Sequence, residues 1–209
     1  MKMAIANKLI EKGCVKLSPH SPFLYASGLK GPIYCDNRLI LGHVDFRNEV
    51  INGFIELIKI NVLKFDLVGG IATAGIPHAA FIADRMKLPM VYVRPKAKEH
   101  GKKNQVEGHY QPNQSVLLIE DLVNQGSSLA DAVGGLKASE LNSSSCLCIV
   151  DYQMATAKMR LNELSLDLYS LTDFEHLVEA ALKLNFIDED GKKLLTIWHN
   201  DPKEWSKLF

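Results

Sequence analysis

Residues 116–128 read VLLIEDLVNQGSS, and no other stretch restricts the possible folds so tightly. Four consecutive apolar residues, 116–119, bounded by turn formers, read as a strand buried on both faces of a parallel sheet. Glu120 and Asp121 follow at its carboxyl end. A polar loop comes next (Asn124, Gln125, Gly126, Ser127, Ser128), and then an apolar stretch from Leu129. A loop of small residues opening a helix offers backbone N–H groups without partners, so it can hold a phosphate. Two acids beside a phosphate cradle suit a phosphorylated sugar, with the acids on its hydroxyls and the loop on its phosphate.

Strand and helix signals alternate around this segment: FDLVGG, a helix over 76–86, MVYVR, VLLIED, a helix over 129–138, and CLCIVD. The alternation predicts an α/β fold with a central, mostly parallel sheet flanked by helices. Ahead of it, residues 2–12 read as a short helix with Met3, Ala6, Leu9 and Ile10 on one face. Residues 18–38 read as irregular, and 45–60 as a helix carrying Val50, Phe54, Leu57 and Ile58. After it come DLYSLT, a helical DFEHLVEAALKL and a final segment with Trp198 and Trp205. With 209 residues, 47% of them hydrophobic, the chain can build one substantial core.

Composition excludes several partners. Lys+Arg and Asp+Glu are each 24, and the zero net charge argues against nucleic acid or an anionic membrane. No apolar run approaches the roughly 20 residues of a bilayer span. The opening MKMAIANKLIEKG lacks a signal-peptide core, so a cytoplasmic protein is expected. Cys146 and Cys148, two apart in SCLCIV, would face one side of a strand. With Cys14 and Cys35 they read as small buried hydrophobes, because no histidine stands at metal-site spacing from them. Direct metal ligation by the chain is not expected.

Two further segments could take part in anion chemistry. Gly69, Gly70, Ile71, Ala72, Thr73, Ala74 and Gly75 form a second glycine-rich turn after a strand. Ligands of open α/β sheets bind at the carboxyl ends of strands, where both loops would lie. Residues 95–114 interrupt two strand-like runs with mostly polar positions, including Lys96, Lys98, Lys102, Lys103, His100 and His109. A segment that long without structure is usually functional or mobile. It reads either as a solvated surface hairpin or as a basic flap over an anionic substrate.

The ordered set FLYASGLKGPIYCDNR, FDLVGGIATAGIP, VYVRPKAKEHGKKNQVEG and IEDLVNQGSS resembles the motifs of the orotate phosphoribosyltransferases, of the type I phosphoribosyltransferase fold. The tail SLTDFEHLVEAAL is similar to one bacterial branch. The resemblance implies a single phosphoribosyltransferase domain over residues 1–209, with a small hood from about residues 1–40 and the C-terminal segment. It implies transfer of ribose 5-phosphate from 5-phosphoribosyl 1-diphosphate (PRPP) to orotate, yielding orotidine 5′-monophosphate and pyrophosphate in UMP biosynthesis. It also implies Mg²⁺ held mainly by PRPP, and a homodimer whose flap residues Lys98 and His100 serve the neighbouring subunit's site.

By the same resemblance, Arg94, Lys98, His100 and Asp121 are catalytic, the three cations facing the departing pyrophosphate. Glu120 and Asp121 take the ribose hydroxyls, residues 124–128 the 5′-phosphate, and Thr73, Ala74 and Gly75 the diphosphate. Tyr34, Lys30, Arg38 and Asn124 are the implied orotate contacts. For Tyr34 core packing, and for Arg38 an ordinary surface ion pair, are the competing readings. The chain departs from the family at Asn124 and Gln125, where two hydroxyl residues are usual, and at Ser127, usually Gly. It departs again at Tyr152, often Arg, which leaves the orotate carboxylate's partner open. The alternatives are a phosphoribosyltransferase for another base and a PRPP-binding regulator without catalysis. The hood sequence SGLKGPIYCDNR weighs against the first, and the intact Lys98 and His100 against the second.

Overall fold

A computed structural model describes residues 1–95 and 104–209. They divide into two compact units, Met1–His43 with Thr172–Phe209, and Val44–Leu171.

The first unit begins with α1 (Lys2–Glu11), which buries Ile5, Ala6, Leu9 and Ile10. Gly13, at φ +69°, turns the chain out of the helix, a conformation that costs a residue without Cβ little. The segment expected to be irregular, together with the three residues before it, holds two small antiparallel pairs. β1 (Val15–Leu17) lies against β4 (Ile33–Cys35), with Lys16 opposite Tyr34. β2 (Phe23–Leu24) lies against β3 (Lys30–Gly31). Strands of two or three residues are too short to show a period, so the sequence pattern could not reveal them.

The second unit opens with α2 (Val44–Ile60), which buries Phe46, Val50, Ile51, Phe54 and Ile58. Then follow β5 (Leu67–Ile71), α3 (Gly75–Met86), β6 (Met90–Val93), β7 (Val106–Glu107), β8 (Ser115–Val123) and α4 (Ser127–Ala138). β9 (Asn142–Asp151), α5 (Ala155–Leu164) and β10 (Asp167–Asp173) complete it, the last two residues of β10 belonging to the first unit. The six strands form one sheet in the order β10-β9-β8-β5-β6-β7. β6, β5, β8 and β9 run parallel, and β7 is antiparallel to β6. The apolar run of β8 is buried throughout, as a central parallel strand requires. Cys146 and Cys148 are both buried on β9, and burial pushes both thiols well above their ordinary range.

The chain returns to the first unit with α6 (Phe174–Lys183), α7 (Glu189–Asn200) and α8 (Pro202–Ser206). Each is capped at its start by an aspartate: Asp173 accepts from the His176 N–H at 3.0 Å, Asp188 from Gly191 at 2.7 Å, and Asp201 from Lys203 and Glu204. Lys2 pairs with Asp173 at 2.8 Å, fastening α1 to the start of α6. Trp198 and Trp205 are buried. Among the described residues no helix is long and apolar enough to cross a membrane.

Candidate active site

β5 and β8 are neighbouring parallel strands with Gly70 opposite Ile119, so both strand-to-helix loops leave the same edge of the sheet. The two loops come very close. A Cβ on Gly75 would collide with the Ile119 carbonyl oxygen and lie 3.4 Å from Glu120 Cα. Only a glycine lets the first turn of α3 rest on the end of β8 in this way. The Ala72 N–H donates to the Val93 carbonyl at 2.8 Å, tying this loop to the end of β6, and the Ala72–Thr73 peptide is cis. Thr73, Ala74 and Gly75 thus open α3 beside the β8 acids.

Glu120 is only 6% exposed, yet its carboxyl group is well partnered. One oxygen accepts from the Asp121 N–H at 2.9 Å, and the other from the Ser128 hydroxyl at 3.3 Å. Burial, and then the Asp121 carboxylate beside it, push the Glu120 carboxyl above the usual carboxylate range. The strand end therefore holds two acids in different environments, Glu120 inclined to keep a proton and Asp121 half-buried next to it.

His78 was not singled out by sequence reasoning. It lies on α3, 1% exposed and edge-on to Phe54, with ring centroids 6.4 Å apart. Its Nδ1 has no hydrogen-bond partner among the described residues. Burial holds the imidazole down to about 4, against the opposing pull of Asp121. A lone histidine within GIPHAAFIA gives no sign of that coupling.

Gly126 sits at φ +73° immediately before α4, and its carbonyl accepts from Ala130 at 3.1 Å. Among the described residues no side chain caps α4, and Ser127 and Ser128 at its opening are exposed, an arrangement that suits an anion. The Asn124 Oδ1 is buried without a hydrogen-bond partner among the described residues. The Gln125 side chain is turned to α5, its Oε1 accepting from the Thr156 hydroxyl, and the Gln125 carbonyl accepts from an Arg160 guanidinium nitrogen. Thr156, Arg160 and α5 itself were absent from the sequence reading. Tyr152 is buried, and its N–H donates to the Val123 carbonyl at 2.9 Å.

Arg94 follows β6, the strand on the other side of β5, and pairs with Glu107 at 3.6 Å. The Gln105 side chain donates to the Arg94 carbonyl at 2.8 Å and to the Asp131 carbonyl on α4 at 3.2 Å. Lys98 and His100 lie outside the described residues.

The remaining expected residues belong to the first unit. Tyr34 is exposed and its ring is 5.9 Å from that of Phe23. Lys30 donates from Nζ to the Phe209 carbonyl. Arg38 pairs with Asp36 at 2.6 Å, and this bond holds the Asp36 carboxyl below the usual range.

The phosphoribosyl transferase domain family matches residues 50–175, the span holding both loops and the acid pair. An orotate phosphoribosyltransferase of Coxiella burnetii is 43% identical over 201 residues, covering 96% of each chain. Among solved structures, the chain is similar to Leishmania donovani UMP synthase (TM-score 0.78, 26% identity), covering 94% of this chain and 42% of that one. The orotate phosphoribosyltransferase of Aeropyrum pernix matches with a TM-score of 0.71 at 26% identity, covering 87% of this chain and 99% of its own.

Proposed function

Since the chain belongs to the orotate phosphoribosyltransferase family, we infer that it transfers ribose 5-phosphate from PRPP to orotate, releasing pyrophosphate and forming orotidine 5′-monophosphate. The observation that carries this reading is the acid pair in the last part of β8, flanked by two loops that each open a helix at the same sheet edge.

Breaking the anomeric C–O bond leaves positive charge on the ribose and negative charge on the diphosphate. Groups fixed where those charges develop lower the barrier, because they bind the transition state better than the ground state. Asp121 and Glu120 take the ribose hydroxyls, and the half-buried Asp121 faces the developing positive charge. The N–H groups and hydroxyls of Ser127 and Ser128 hold the 5′-phosphate, and Thr73, Ala74 and Gly75 hold the diphosphate. Arg94, Lys98 and His100 meet the charge on the leaving group, the latter two coming from the second subunit of a homodimer. The family resemblance implies Tyr34, Lys30, Arg38 and Asn124 as the orotate contacts.

Among the described residues no three His, Cys, Asp or Glu side chains are grouped to hold a metal ion. Two neighbouring acids, one of them buried and inclined to keep its proton, supply too few ligands for a Mg²⁺ cage, so this donor set fits the ion as one carried on substrate phosphates, with residues 73–75 holding the diphosphate that bears it. Bound there, the ion would neutralise charge on the departing diphosphate.

The test is a panel of bases. With PRPP and Mg²⁺, orotate should be consumed with release of pyrophosphate, and a chelator should stop it. Consumption of adenine, hypoxanthine or uracil in place of orotate would contradict the reading.

A further inference from the structure

We propose that Arg160 and Thr156 on α5 are positioning residues for the 5′-phosphate loop, fixing the direction in which the Gly126 N–H points. The proposal rests on the reading of residues 124–128 as the phosphate cradle. A trans peptide is planar, and its C=O and N–H point in opposite directions. The Gln125–Gly126 peptide is not among the cis bonds, and its carbonyl is held by the Arg160 guanidinium on α5. The Gly126 N–H is therefore turned away from α5.

Glycine makes this restraint necessary. Gly126 at φ +73° has no Cβ to favour one peptide orientation, so the plane between residues 125 and 126 can rotate at small cost. The rotated plane would aim a carbonyl where the cradle needs a donor, and would repel an anion. Arg160 opposes that rotation through the main chain, and Thr156 opposes it through the Gln125 side chain. Gln125 stands where the family usually has a hydroxyl residue. Its longer side chain reaches α5, so the departure in sequence is matched by a second fastening of the loop.

The experiment measures dissociation constants by calorimetry for ribose 5-phosphate and for pyrophosphate, which probe the two loops separately. Losing a hydrogen bond from a charged donor corresponds to roughly a tenfold loss or more. Arg160→Met should weaken ribose 5-phosphate by about that factor and leave pyrophosphate unchanged. Arg160→Lys should restore much of the loss, because an ammonium also donates to a carbonyl. Thr156→Val, close in shape, should show a smaller loss of the same selectivity and serves if Arg160→Met does not fold. Ser127→Glu, which places a carboxylate at the opening of α4, tests the cradle itself. If Ser127→Glu abolishes ribose 5-phosphate binding while the Arg160 and Thr156 variants match the wild type, the positioning role is wrong and the cradle stands. Equal weakening of both ligands would show a merely structural role and overturn the proposal. Unchanged binding by Ser127→Glu would remove the cradle, and the proposal with it.

Discussion

Asp121→Asn keeps the shape of the side chain and removes its charge, at a half-buried strand end that contributes little to the core. Loss of one such electrostatic group costs about 10²–10³ in kcat, and the melting temperature should stay near that of the wild type. Near wild-type turnover in Asp121→Asn would remove this residue from the mechanism. His78 supports a stability prediction instead. Its folded pKa of about 4 lies below the ordinary 6.5, so between those values the unfolded chain binds a proton that the folded chain refuses. Stability from this group is full above pH 6.5 and is lost as pH falls towards about 4, a total of about 3 kcal/mol. Urea unfolding at pH 7.5 and pH 5 should show a larger loss for the wild type than for His78→Gln. Equal losses would mean that His78 is not buried in its neutral form. The acid pair was legible from sequence as carboxylates directly after a buried apolar run, although β8 runs on past them through Leu122 and Val123, still paired with β9. His78 was not, since its role depends on Phe54 and Asp121, both remote in sequence.

Two glycines separate close approach from flexibility. A Cβ on Gly75 would meet the Ile119 carbonyl, which is backbone and cannot swing aside. Gly75→Ala should therefore push α3 off β8, destabilise the fold by about 1–3 kcal/mol and raise the KM for PRPP. Gly134, inside α4, has no atom of the described residues within 4 Å of its Cβ position. Gly134→Ala should stabilise by roughly 0.5–1 kcal/mol, and chemical denaturation of the two variants checks both signs. The strands and helices around the acid pair were readable because they alternate and bury long apolar faces. α5 was not, because Ala157 is its only buried residue and Met159 is exposed, leaving no apolar period to detect. That blind spot concealed Thr156 and Arg160, the residues that fasten the loop.

At the scale of the whole molecule, the flap assignment has a consequence for assembly. If Lys98 serves the neighbouring subunit, then mixing inactive Lys98→Ala with inactive Asp121→Asn chains gives hybrid dimers with one intact site. Activity should return once exchange of subunits is confirmed, and no return would place the flap within its own chain. The type of fold and the reaction were legible from four ordered motifs. The unit made of Met1–His43 with Thr172–Phe209 joins segments from opposite ends of the chain, so no linker or composition break marks it, and a hood of about residues 1–40 with the C-terminal segment came only from the resemblance. If the sugar phosphate sits at the carboxyl end of β8, a crystal structure with ribose 5-phosphate bound will reveal it there. The 5′-phosphate should lie on the N–H groups that open α4, and the ribose hydroxyls on Glu120 and Asp121. A sugar phosphate bound away from residues 120–128 would contradict this placement.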